Sequence, residues 1–233
     1  MKAFANPIAV AIDKSDLREA EALAEAVAGH VGCLKLGMEF FYSHGRAGYE
    51  RLASRGVPIF LDLKLHDIPT TVAQAVKSLM TLEPRPALVN VHGSGGRAMI
   101  EAAAAAISGR AKLIAVTVLT SLTDSDLAEM EIKGSAHHSM VLARLAKQAG
   151  ADGVVCSPLE VEIIKQELGR EFLAVVPGVR PRGSGAGDQK RFATPIEAMK
   201  TGADLLVIGR PITDAPDPRA AARSIAEELM DAS

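Results

Sequence analysis

Eight short apolar runs rich in β-branched residues recur along the chain, with helix-like segments between most of them, and this alternation constrains the fold more than any other feature. The runs cover residues 7–12, 33–38, 58–63, 87–91, 113–119, 153–156, 172–176 and 205–208. Apolar residues at three- and four-residue intervals predict helices over 17–27, 72–82, 99–107, 141–149, 161–168, 196–200 and 220–230. Strands that alternate with helices form a parallel sheet, because each parallel pair needs a crossover. Eight such units in 233 residues predict a closed (β/α)8 TIM barrel, one catalytic domain over 1–233, rather than an open sheet.

Composition narrows what such a barrel would bind. Hydrophobic residues make up 48% of the chain, yet no apolar run approaches the ~18 residues of a membrane span. Residues 1–7 have no secretory core, so a soluble, cytoplasmic protein without a membrane partner is expected. A net charge of -2, no Trp and two Tyr give no electrostatic or stacking reason to expect nucleic acid. Cys33 and Cys156 stand singly in apolar runs and the six His lack metal-ligand spacing, which predicts packing thiols and no metal site.

Polar side chains stand at or near the carboxyl end of every predicted strand: Asp13, Lys35, Asp62 with Lys64, His92, Thr120, Ser157, Arg180 and Arg210. In a (β/α)8 barrel that end carries the active site. Strands that stop where polar residues begin account for His92 and Ser157. They do not account for Lys35 and Asp62, which are flanked by apolar residues on both sides, since a buried ion requires a partner.

The stretch FLDLKLHDIPTT, residues 60–71, concentrates this pattern. Side chains two apart on a strand share a face, so Asp62 and Lys64 are expected to point together into the barrel as an ion pair, with Leu61, Leu63 and Leu65 packed outward. Pro69 suits the first turn of a helix and biases Ile68 away from helical geometry. Asp67 therefore falls in the loop, and its carboxylate can point elsewhere. The ammonium groups of Lys35 and Lys64 would keep neighbouring carboxylates ionised. A structural ion-pair network is the alternative, and Asp13, Lys35 and Asp67 at the same barrel end weigh against it.

Two segments are candidates for holding a phosphate. HGSGGR, residues 92–97, is a Gly-rich turn that reads as the start of a helix. The I-G-R run at 208–210 follows the eighth strand, the usual barrel position for a phosphate, and Arg210 adds a bidentate donor. RGSGAGDQ, residues 182–189, reads as a mobile lid over the same face.

The stretch FLDLKLHDIPTTV strongly resembles the D-x-K-x-x-D-I-P-x-T pattern of the orotidine 5'-monophosphate decarboxylases. The resemblance extends over the chain through AID at 11–13, LKLG at 34–37, TVLTS at 117–121, PGVRP at 177–181, AGDQ at 186–189 and VIGRP at 207–211. It implies a cofactor-free loss of CO2 from orotidine 5'-monophosphate, giving uridine 5'-monophosphate, in a homodimer with shared active sites. It further implies that Asp13 and Lys35 hold the ribose, that Asp62 faces the departing carboxylate, and that Lys64 stabilises and protonates the C6 carbanion. Asp67, Ile68 and Thr71 complete the site, with Asp67 and Thr71 coming from the neighbouring subunit. Thr120 meets the pyrimidine edge, Gln189 links pyrimidine and phosphate, Gly209 and Arg210 grip the phosphate, and Arg180 and Pro181 belong to the substrate-binding segment. Thr70 stands where some members have Asn, which touches none of these roles.

Two other readings remain open at the level of sequence. One is a Mg2+-dependent sugar-phosphate decarboxylase or aldolase on the same D-x-K-x-x-D strand. Such relatives carry Glu where this chain has Lys35, whose cation would repel the metal. The other is a non-catalytic barrel that binds a nucleotide phosphate, against which the intact Asp62, Lys64 and Asp67 argue.

Overall fold

The computed structural model describes residues 4–181 and 193–232. Eight parallel strands close a barrel in sequence order: β1 (Ile8–Ala11), β2 (Cys33–Gly37), β3 (Ile59–Leu65), β4 (Leu88–His92), β5 (Lys112–Val116), β6 (Gly153–Val155), β7 (Leu173–Val176) and β8 (Leu205–Ile208). The strands alternate with α1 (Leu17–Val27), α2 (Met38–Ala53), α3 (Pro69–Leu79), α4 (Arg97–Ile107), α5 (Asp124–Ala128), α6 (Ser135–Gln148), α7 (Val161–Leu168), α8 (Pro195–Lys200), α9 (Arg210–Thr213) and α10 (Pro218–Asp231). This is the (β/α)8 barrel that the alternation predicts. No helix among the described residues is long and apolar enough to cross a membrane.

Strand periodicity divides the core into two parts. Inward-facing Ala9, Cys33, Phe60, Leu88, Ile114, Leu173, Val175 and Leu205 pack together in the barrel interior. A larger cluster, including Ile8, Val10, Leu34, Leu36, Leu61, Val89 and Val91, fills the space between the strands and the surrounding helices. Both cysteines are fully buried, and burial pushes the Cys33 thiol up to about 12, so it packs as an apolar group.

Helix ends follow local chemistry. The Asp16 carboxylate accepts from the backbone N–H groups of Arg18 and Glu19 to start α1, Pro69 opens α3, and Thr194 and Glu197 form a capping box at α8. The periodic reading missed three helices: α2, α5 and α9. In α2 the apolar stripe is weak and the backbone kinks at Gly45, where φ is 55°; α5 and α9 are too short to show a period.

Polar caps close the amino-terminal face of the barrel. Asn6 accepts from Ile8 N, Asp152 from Leu113 N, and Asp204 from Ala174 N. Lys165 ties this face together, its Nζ donating to the carbonyls of Arg170 and Phe172 and to Asp204 Oδ2 at 2.8, 2.8 and 2.6 Å.

Candidate active site

At the carboxyl ends of the strands the barrel interior opens into a cavity of about 350 Å3. Phe60 lies among its lining residues, and Asp13, Lys35, Asp62 and Lys64 form one charged side. These four alternate in sign along a continuous chain. Lys35 Nζ lies 3.2 Å from Asp13 Oδ1 and 3.3 Å from Asp62 Oδ2, and Lys64 Nζ lies 2.7 Å from Asp62 Oδ1. The side chains of Lys35 and Asp62, in the middle of the chain, are only 9% and 11% exposed, whereas those of Asp13 and Lys64 at its ends are 54% and 25% exposed.

Burial alone would neutralise these groups, and their mutual fields prevent it. For Asp62, burial pushes the carboxyl up, but the Lys35 and Lys64 ammonium groups outweigh it and hold the group below the usual carboxylate value. For Lys35, burial pushes the ammonium down, and the Asp62 and Asp13 carboxylates more than reverse that effect. Gly37 leaves room for the pair: a Cβ there would stand 3.1 Å from Asp13 Oδ1 and 3.2 Å from Lys35 Nζ.

Asp62 and Lys64 share a face as expected, and the strand that carries them is irregular there. Between β3 and β4 the pairing passes from Leu61↔Val89 to Leu65↔Val91, so Asp62, Leu63 and Lys64 all stand opposite Asn90. Lys64 takes a left-handed backbone conformation with φ 50°. Asn90, 1% exposed, lies against this bulge; its Nδ2 donates to Asp62 Oδ1 at 2.6 Å and its Oδ1 accepts from Lys64 N at 2.8 Å. Sequence reasoning missed Asn90. The available signal was the one that exposed Lys35 and Asp62, a polar residue flanked by valines inside an apolar run.

The remaining predicted residues that the structure describes divide into two groups. Thr120, Arg180, Gly209 and Arg210 line the cavity with the charged side. Thr120 and Arg180 are buried, and Gly209 and Arg210 lie at the start of α9, directly after β8. Asp67, Ile68 and Thr71 are exposed at the β3–α3 turn and first turn of α3, and neither they nor Pro181 line the cavity of this chain. The Asp67 carboxylate accepts from Ile68 N at 2.6 Å. Gln189 and the predicted lid at 182–189 lie outside the described residues. The Gly-rich turn at 92–97 is a helix start, a 3-10 turn at Gly93–Gly95 leading into α4. His92 packs its ring 5.5 Å from that of His66; burial, then the nearby His66 and Lys64, hold it below the ordinary histidine range. Ser157 is fully buried in the turn after β6, where its backbone N–H donates to Glu160 Oε2 at 3.0 Å.

Apolar side chains, among them Val116, Val118, Val155 and Val207, also line the cavity. Such a site can hold a flat organic group against valines while presenting fixed charges of both signs to one edge of it. A closed parallel barrel with this mouth defines the class: a (β/α)8 barrel with preorganised charges of both signs in the cavity at the carboxyl ends of its strands.

Comparison with known proteins places the chain within that class. The model of the orotidine 5'-phosphate decarboxylase / HUMPS family matches residues 6–225. Over 227 residues the chain is 52% identical to orotidine 5'-phosphate decarboxylase of Erythrobacter litoralis (strain HTCC2594) and 54% identical to that of Novosphingobium aromaticivorans, covering 97% of this chain and 100% of each relative. The crystal structure of the Lactobacillus acidophilus orotidine 5'-phosphate decarboxylase superposes with a TM-score of 0.84 at 38% identity, covering 96% of this chain and 99% of that one. The chain belongs to the orotidine 5'-phosphate decarboxylase / HUMPS family.

Proposed function

We propose that this protein decarboxylates orotidine 5'-monophosphate to uridine 5'-monophosphate and CO2, the reaction named in its relatives at 52% and 54% identity. The observation that carries this reading to the chain's own residues is the Asp13–Lys35–Asp62–Lys64 array in a cavity that apolar side chains also line. When the bond from C6 to the carboxylate breaks, its electron pair remains in an sp² orbital that the ring π system cannot delocalise. A cation fixed beside C6 stabilises that charge without reorganising. Lys64 fills this role, held by Asp62, and passes a proton to C6 as the CO2 departs. Asp62 faces the substrate carboxylate, and Asp13 and Lys35 take the ribose hydroxyls. Thr120 and the valines receive the pyrimidine, and Gly209 and Arg210 receive the phosphate.

The reaction needs no cofactor in this scheme. Lys35 occupies the space between Asp13 and Asp62, and its ammonium opposes a cation there. Asp67, Ile68 and Thr71 are exposed on this chain and outside its own cavity, which supports a homodimer in which each subunit lends these residues to its partner's site. A protein of this kind would work in the cytoplasm. The test is to add orotidine 5'-monophosphate to metal-stripped protein in EDTA and measure CO2. Release at an undiminished rate is expected, and release only after Mg2+ is restored would favour the metal-dependent branch.

A further inference from the structure

We propose that Asn90 is a positioning residue for this reaction, holding Asp62 with one end of its carboxamide and the Lys64 backbone with the other. The inference rests on the decarboxylase reading for its kinetic consequence, and on the bulge alone for its geometry. Where Asp62, Leu63 and Lys64 crowd opposite a single β4 residue, the regular backbone ladder is interrupted. Asn90 Oδ1 supplies the acceptor for Lys64 N–H, at 2.8 Å, in place of a strand carbonyl. Its Nδ2 donates to the same Asp62 oxygen that receives Lys64 Nζ, at 2.6 and 2.7 Å. One side chain therefore sets both the direction of the Asp62 carboxylate and the backbone conformation from which the Lys64 ammonium projects. Without the amide, Lys64 at φ 50° is free to relax towards extended geometry, and a change of phase on a strand turns a side chain away from its face.

Asn offers both an acceptor and a neutral donor in the same plane at this size without having to take up a proton. Asn90→Ala removes both contacts. Asn90→Asp keeps the acceptor but, when ionised, sets a buried negative charge against Asp62, which raises the introduced carboxyl's pKa; once protonated, it regains an O–H to donate.

The experiment measures kcat and KM against pH for wild type and both variants, with amide hydrogen exchange at Lys64 read by NMR. For Asn90→Ala, kcat should fall on the order of 100-fold, as for other small misplacements of a reacting group, with KM changing far less. The Lys64 amide should exchange faster in that variant. For Asn90→Asp, kcat relative to wild type should rise as pH falls from about 8 to about 5.5, a recovery that a purely packing role would not produce. A wild-type kcat in Asn90→Ala, or a relative rate for Asn90→Asp that is flat with pH, overturns the proposal. If Asn90→Ala fails to fold, the near-isosteric Asn90→Asp profile decides alone. If wild type itself releases no CO2, the decarboxylase reading fails separately, and unchanged Lys64 exchange in Asn90→Ala then overturns the positioning role on its own.

Discussion

Lys64 carries a long side chain in a backbone region that usually suits glycine, at a strain of order 1–2 kcal/mol. Asp62 and Asn90 hold it there. Truncating it should separate chemistry from folding: Lys64→Ala is expected to keep its circular dichroism and melting transition while losing most turnover, because both the carbanion's countercharge and its proton donor are gone. Near-normal CO2 release from that variant would overturn the mechanism. The neighbouring charges predict a pH profile for stability. The Asp62 carboxyl is held below its ordinary value of 3.8 in the folded state, so its contribution is complete above that pH and is lost as pH falls through the lowered value. The Lys35 ammonium is held above its ordinary value of 10.5 in the folded state, so its contribution is complete below that pH and is lost as pH rises through the raised value. Denaturant titrations should therefore show weaker acid-side loss in Asp62→Asn than in wild type, and an unchanged acid limb would mean that other carboxylates dominate. Lys35 and Asp62 were legible in the sequence because an ion inside an apolar run demands an explanation. Asn90 met the same criterion without a charge to draw attention to it.

Among the elements, β3 does most to build the site and departs furthest from regular geometry. The sequence showed its inward and outward faces, since Leu61 and Leu63 are buried in the outer core cluster. It could not show the bulge, which depends on the register with β4, a long-range property that local periodicity does not encode. The same limit explains α2, whose weak apolar stripe becomes helical by packing Phe40, Tyr49 and Leu52 into the core. At the other end of the barrel, Lys165 binds α7 to the segments that enter β7 and β8. Its side chain is 10% exposed, and Lys165→Met would leave Asp204 and two carbonyls without their cation. Breaking such a buried pair from one side costs roughly 3–5 kcal/mol, so a clear drop in melting temperature is expected with kcat unchanged for the folded fraction. A loss of kcat without a loss of stability would contradict this division between the two faces.

For the molecule as a whole, the proposed dimer makes the firmest prediction. If Asp67 serves the partner's Lys64, then Lys64→Ala and Asp67→Ala homodimers should each be nearly inactive. Random subunit exchange between them makes about half the dimers hybrid, and each hybrid has one site with both lesions and one with neither, about one quarter of all sites restored. Activity should climb towards that fraction of wild type; demonstrated exchange with no recovery would place Asp67 in its own subunit's chemistry. The barrel itself was legible because eight strand–helix alternations leave few topologies, whereas a shared site was not, because one chain's sequence holds no record of its neighbour's position. The caps at the amino-terminal face have a further consequence. Asn6, Asp152 and Asp204 close their strands through contacts that involve none of the residues at the mouth. Inheritance can therefore act on the two rims separately: lineages can exchange residues around the cavity and drift towards new substrates while the opposite rim continues to secure the same barrel.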